Sequence, residues 1–213
     1  MACAGPAAEG NRSRTGDAVL RLGFDVDGVL ADFDHGYAPR IVQVSNRNLF
    51  PPEGVVDPPC WHWPQHWGYT NAEVNATWDA IKQDPEFWYR LNELPGAAVL
   101  RENWRKLLGA GHDVVFATAR LGIQPELQTA AWLRNIGVTY TDVTVTSHKG
   151  QFCLDRYVDC YVDDRLENVQ DIVKTSPATR TYLLNRAHNA VPADTGYTRV
   201  PSVEAFFIAE GLL

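Results

Sequence analysis

The stretch "LGFDVDGVLADF", residues 22–33, decides how this chain is read. A largely apolar run from Val19 to Phe24 ends in Asp25, Val26 and Asp27, and the chain turns at Gly28. Residues i and i+2 of a strand point to the same side, so the two carboxylates face one region. Like charges repel, and burying an unpaired carboxylate is unfavourable. A cation and a reaction at phosphorus account for such a pair. Asp25 is then a nucleophile. Asp27 protonates the leaving alkoxide and afterwards deprotonates water. Asp-x-Asp by itself is also compatible with a solvated strand-to-loop turn. The apolar strand before it and Gly-Val-Leu-Ala after it favour the chemical reading.

Outward from this stretch, strands alternate with helices. "AVLRLGFDVD" is the first strand, followed by "VVFATAR" (114–120), "YTDVTVTS" (140–147), "YVDCYVDD" (157–164) and "TRTYLLN" (179–185), the last expected at an edge. Helical spacing marks 96–111, 124–137 with Pro125 in its first turn, 165–175 and 201–213. Alternation of this kind predicts an α/β fold: a Rossmann-like, mostly parallel sheet with helices on both faces. Ligands of such sheets sit at the carboxyl ends of the strands. Asp25, Asp27, Thr118, Asp163 and Asp164 all fall at such ends.

Residues 34–95 break the alternation. They hold five of the seven tryptophans, Trp61, Trp63, Trp67, Trp78 and Trp88, around a Pro-rich stretch. We read them as an insertion with helical ends, 32–46 and 71–83, and an irregular middle. So small a unit does not bury five indoles fully, so some are expected to line a cleft. Cys60, His62 and His66 suggest a metal face, but no fourth ligand follows and prolines interrupt the helix, which argues against zinc. The expected division is a tail over 1–18, a core over 19–33 and 96–213, and a small, mainly helical cap over 34–95.

Composition narrows the function classes. The chain has 213 residues, 45% hydrophobic, enough for one real core. Asp and Glu number 26 against 19 Lys and Arg, a net charge of −7, which argues against a nucleic acid polymer as partner. No apolar run is long enough for a membrane span. Four cysteines without a C-x-x-C pair favour a reduced, cytoplasmic setting. The small, polar start lacks the apolar centre of a signal peptide and reads as a disordered tail.

Three further pieces lie at later strand ends. The Thr118 hydroxyl and the N–H groups after it, Ala119 first, can hold a phosphate oxygen. Lys149, in "TSHKG", can neutralise phosphoryl oxygens and nucleophile. Asp163 and Asp164, in "VDDRLEN", suit Mg²⁺, which prefers hard oxygen ligands; a helix cap is the plainer role for one of them.

In order — acid pair, hydroxyl, lysine, acid pair — these pieces resemble the haloacid dehalogenase (HAD) superfamily of phosphotransferases over residues 19–190. "FDVDGVLADF", "FWYRLNELPGA" and "VDDRLENV" are most similar to its 5′(3′)-deoxyribonucleotidases. The resemblance implies a HAD-like core with a cap after the first strand. It implies Asp25 as nucleophile, Asp27 as acid/base, and Thr118, Ala119 and Lys149 at the phosphate. It places Phe33, Trp61, Trp63 and Arg120 at the substrate and Mg²⁺ on Asp25, Asp27, Asp163 and Asp164. Two departures stand out: Ala119-Arg120 replaces the family's Ser-Pro, removing one hydroxyl contact, and the spacer from Lys149 to Asp163 is longer. The expected activity is Mg²⁺-dependent hydrolysis of a nucleoside monophosphate, deoxyribonucleotides above all, through an aspartyl-phosphate. A phosphatase for another small phosphate, such as a sugar phosphate, is the first alternative, and a catalytically silent nucleotide-binding protein the second. Assembly as a homodimer is left open.

Overall fold

The computed structural model describes residues 18–190 and 195–213. The expected tail lies, apart from Ala18, outside the described residues. Strand β1 (Arg21–Phe24) runs up the middle of a six-stranded sheet. The others are β2 (Asp113–Thr118), β3 (Asp142–Val145), β4 (Cys160–Asp163), β5 (Arg180–Leu184) and β6 (Thr198–Val200). Their order is β3-β2-β1-β4-β5-β6 and every pairing is parallel. Gly23 faces Val115 on one side and Tyr161 on the other. Such a strand is covered on both faces, which is why it reads as an apolar run rather than an alternation.

Helices α4 (Pro95–Gly109), α5 (Pro125–Asn135), α6 (Lys149–Asp155), α7 (Leu166–Thr175) and α8 (Val203–Ala209) connect or flank the strands, after α1 to α3, given below. Alternate residues of one strand go to different faces. Phe116 joins Trp104 and Leu107 of α4 and Phe206 and Phe207 of α8. Val115 and Ala117 join Phe152 and Cys153 of α6 and Ile172 of α7. Prolines at the first positions of α4 and α5 use a site where the missing N–H has no intrahelical partner.

Two expectations need correction. The strand at 179–185 is not at the edge: β6 pairs outside it, so the sheet has six strands where the sequence suggested five. β6 has only three residues, Thr-Arg-Val, too short for a period to show. A helix, α6, also begins directly at Lys149, where no helix was expected.

Between β1 and α4 lie α1 (Phe33–Ser45), α2 (Trp63–His66) and α3 (Asn71–Gln83). Helix α1 starts inside the opening motif: the Asp32 carboxylate accepts from the His35 N–H at 3.2 Å. Helix α3 opens with a capping box between Thr70 and Glu73. The indoles of the segment divide. Trp63 and Trp88 are buried, Trp67 and Trp78 half-buried, and Trp61 is 45% exposed. The buried rings join the same apolar core as Leu22 and Phe24, through Val29, Leu30 and Ala31.

Candidate active site

The sheet delivers its reactive groups where strands stop. The Asp25 N–H still pairs with the Val162 carbonyl at 3.0 Å, so Asp25 is the last residue held by the sheet. Asp163 ends the neighbouring β4 and Thr118 ends β2 on the other side. Helix α6 projects Lys149 back beneath them. Lys149 is 1% exposed, and its ammonium donates to Asp25 Oδ1 at 2.8 Å and to the Ala117 carbonyl.

Asp25, Asp163 and Asp164 offer carboxylate oxygens within 4.8 Å of one another, and all three are buried. Burial pushes the Asp25 carboxyl up, opposed by Lys149 and reinforced by Asp27. Burial, then the Asp25 charge, raises Asp163 to about 7. Burial, then Asp163 and Asp25, raises Asp164 well above the carboxylate range. Three crowded carboxylates are poorly placed as anions without a cation, and an all-oxygen donor set fits a hard divalent ion such as Mg²⁺.

The adjacent acids are held differently. Asp163 accepts from the Arg165 N–H at 2.9 Å and from the Asn168 amide at 3.1 Å with both oxygens. Asp164 lies against Gly28, whose φ is +76° and where a Cβ would fall 2.1 Å from Asp164 Oδ2. The His188 imidazole stands 3.4 Å from the Asp164 carboxylate, and burial pushes its pKa down, toward the neutral form. Gly28 is therefore fixed twice, by its left-handed backbone and by the carboxylate beside it.

Asp27 turns away from this group. Its carboxylate meets Arg120, with Nη2–Oδ1 at 2.8 Å and Nε–Oδ2 at 3.0 Å, and accepts from Thr118 Oγ1 at 3.3 Å. Asp27 was expected at the metal as well; its carboxylate is not in the group of side chains that could hold one, which among the described residues is Asp25, Asp163 and Asp164. Arg120, expected at the substrate, is 1% exposed, and its donors are directed to Asp27 and Thr129. Ala119 is exposed at the end of β2 beside Thr118.

Above the acids opens a cavity of about 320 Å³. Asp27, Gly28 and Asp164 form its floor, and Phe33, Trp61, Trp63 and Trp78 belong to its walls. Phe33 stacks on Trp78, with centroids 5.6 Å apart and planes at 16°, and on Trp88 at 5.9 Å and 21°. Trp61 is capped by the Arg165 guanidinium at 4.4 Å and meets the His188 ring edge-on. Trp63 is fixed by its indole N–H, which donates to Asp34 Oδ1 at 2.9 Å. Cys60 and His62 also line the cavity, but neither belongs to a cluster of metal-binding type among the described residues. Asp34, Arg186 and His188 have no place in the sequence reading. Arg186 donates to the Gly28 carbonyl and His188 contacts the Asp164 carbonyl at 3.0 Å. Both follow β5, Arg186 capping a single 3-10 turn that holds His188, so only the strand-end rule applied once more, at Asn185, would have pointed there.

Comparison with known proteins gives the family and the fold. Residues 18–202 match the family described as "5' nucleotidase, deoxy (Pyrimidine), cytosolic type C protein". A search of curated protein sequences returns no match. Among solved structures, a candidate phosphatase from Clostridium difficile superposes with a TM-score of 0.59 at 15% identity, over 92% of this chain and 99% of that one. A HAD-superfamily hydrolase of subfamily IA from Geobacter sulfurreducens gives 0.56 at 15%, over 94% and 100%. YfnB from Bacillus subtilis, a candidate HAD hydrolase in a magnesium-bound structure, gives 0.56 at 14%, over 91% and 99%. At such identities the likeness speaks for the fold, and it is the HAD fold. The family match covers most of the chain, and this HAD-type phosphatase belongs to the 5′-nucleotidase, deoxy (pyrimidine), cytosolic type C family.

Proposed function

We propose that this chain hydrolyses nucleoside monophosphates, deoxyribonucleotides above all, to nucleoside and phosphate. The observation that carries the reading is the joining of two surfaces: a cavity walled by Phe33, Trp61 and Trp78 has Asp27, Gly28 and Asp164 as its floor, beside the buried Asp25–Lys149 pair. A planar base can stack on the rings while its phosphate reaches the acids. The description of the matching family supports the deoxy preference.

In the proposed mechanism Asp25 attacks phosphorus, the bond from phosphorus to the sugar oxygen breaks, and Asp27 gives that oxygen a proton. Asp27 then takes a proton from the water that attacks the aspartyl-phosphate, releasing phosphate and free Asp25. Lys149 neutralises the nucleophile and the phosphoryl oxygens; Thr118 and the Ala119 N–H orient them. Asp25, Asp163 and Asp164 would hold Mg²⁺, which supplies charge neutralisation at the phosphoryl group; the magnesium-bound YfnB structure supports that identity. The segment 34–95 acts as a cap that selects the leaving nucleoside. Cys60, Cys153 and Cys160 are free thiols, which supports the cytoplasm as compartment. Among the described residues no helix is long and apolar enough to cross a membrane.

The test is a panel of ribo- and deoxyribonucleoside monophosphates and sugar phosphates, run with wild type, with Asp25→Asn and after chelation. Deoxyribonucleotides should have the highest kcat/KM. Asp25→Asn should lower kcat at least about a thousandfold, roughly 4 kcal/mol of barrier. EDTA should abolish turnover and Mg²⁺ restore it. Preference for sugar phosphates would reverse the substrate assignment, and wild-type turnover in Asp25→Asn would sink the mechanism.

A further inference from the structure

Arg120 is 1% exposed, and its surroundings are unusually complete. Its guanidinium forks onto Asp27, with Nε and Nη2 on the two carboxylate oxygens, while Nη1 donates to Thr129 Oγ1 at 3.0 Å. Thr129 in turn donates to the Pro125 carbonyl at 2.7 Å. The cation sits 5.1 Å from the centre of Trp88 and 5.9 Å from that of Trp132. Each ring is anchored through its indole N–H, Trp88 to the Leu121 carbonyl and Trp132 to the Leu91 carbonyl, both at 2.8 Å. The fork is thus held in plane by two indoles and a threonine that are themselves fixed.

We propose that Arg120 is the positioning residue for Asp27: it fixes the plane and direction of the acid/base carboxylate and takes no part at the phosphoryl group. The proposal rests on the acid/base role given to Asp27 above. Thr118 Oγ1, two residues earlier at the same strand end, reaches the same carboxylate, so both of its oxygens are engaged. A planar, two-donor contact constrains rotation of a carboxylate, which a lysine's single point charge does not. Orientation matters because a base must stand within hydrogen-bond reach of the proton it takes, and displacement by about 1 Å can cost about a hundredfold. The first step with an aryl phosphate does not depend on this: Asp25 attacks phosphorus, the P–O bond breaks, and nitrophenolate leaves without a proton. The second step does: water attacks the aspartyl-phosphate and must pass its proton to Asp27.

The experiment separates the two steps with p-nitrophenyl phosphate and Mg²⁺. Stopped flow reads nitrophenolate release in the first turnover, and the steady state reads completion of the cycle. Arg120→Met should keep the first-turnover rate within about threefold of wild type while the steady-state rate falls at least about tenfold. Arg120→Lys should resemble Arg120→Met more than wild type. Because Arg120→Met strands a carboxylate and can impair folding, the decisive pair is Asp27→Asn against Asp27→Asn/Arg120→Met, where neither charge remains. Both rates should agree within about twofold between these two. Arg120→Met losing both steps equally, or the double variant losing first-turnover rate relative to Asp27→Asn, overturns the proposal, since Arg120 would then act on the phosphoryl group or the fold. Asp27→Asn serves as the control on the acid/base role. If it shows no selective loss of the second step, that role falls and the proposal with it; if it shows the loss and Arg120→Met does not, the proposal alone falls.

Discussion

The floor and the walls of this cavity are built on opposite principles. In and beneath the floor nearly every group is charged or polar, and most are held by a counter-group: Asp25 by Lys149 of α6, Asp27 by Arg120 and Thr118 at the end of β2, Asp163 by Asn168 of the helix that follows it. In the walls the groups are aromatic, and they hold one another by stacking and edge contacts: Phe33 with Trp78 and Trp88, Tyr37 with Trp63, Trp61 with His188. Charges at low dielectric must be placed tightly, because an unpaired one is severely penalised. Rings tolerate displacement, since stacking is broad in geometry. In the proposed function the floor serves the reaction and the walls the choice of what is brought to it.

The sharpest division within the floor is between Asp163 and Asp164. Asp163 has donors on both oxygens and ties the start of α7; Asp164 faces the cavity beside Gly28. Asp164→Asn should raise the Mg²⁺ needed for half-maximal activity by more than about tenfold, the range seen when ligand shells are disturbed. Asp163→Asn should act more through stability, lowering it by about 1–3 kcal/mol as its half-buried partners, the Arg165 N–H and the Asn168 amide, lose an acceptor. Magnesium titration beside thermal melts reads both quantities. Equal shifts in the Mg²⁺ requirement would erase the division.

The walls should respond by about tenfold. Base stacking on an aromatic side chain contributes about 1–3 kcal/mol. Phe33→Ala and Trp61→Ala should each lower nucleotide kcat/KM by about tenfold and spare p-nitrophenyl phosphate. Trp63 lines the same cavity but is 4% exposed and bonded to Asp34, so Trp63→Ala should lower stability, by about 3–5 kcal/mol, before it alters selection. Loss of both substrates in the folded Phe33 and Trp61 variants would make the walls structural only.

The same contrast explains what the sequence disclosed. Asp25, Thr118 and Asp163 are legible because a parallel sheet brings its strand ends together, so a local pattern reports a distant meeting. Lys149 is legible only in combination, and its helix was missed because seven residues carry too little period. Arg120 came from the resemblance alone, and its burial between Trp88 and Trp132 is a tertiary fact that no local pattern reports. The insertion's tryptophans were legible as a class and not singly. Which rings face the cavity depends on how α1 and α3 pack, which composition does not encode.

Asp34 joins the two regions, and its effect is the smallest expected. It lines the cavity and accepts from the Trp63 indole, while burial, opposed by that bond and reinforced by Asp32, lifts its carboxyl to about 6. The unfolded chain ionises near the ordinary value of 3.8, so between about 3.8 and 6 the folded state binds more protons than the unfolded. Stability then falls with rising pH across that window and stays lower above it. Two pKa units set an upper limit of about 3 kcal/mol. Asp34→Asn keeps an oxygen for the Trp63 N–H and removes the buried charge. It should raise Tm by a few degrees at pH 7.5, about 1–2 kcal/mol, and leave it nearly unchanged at pH 4. Melting curves of both proteins from pH 4 to 8 check this. A lower Tm for Asp34→Asn at pH 7.5 would mean that the partners of the ionised carboxylate outweigh its burial, and Asp34 would then belong with the paired charges of the floor.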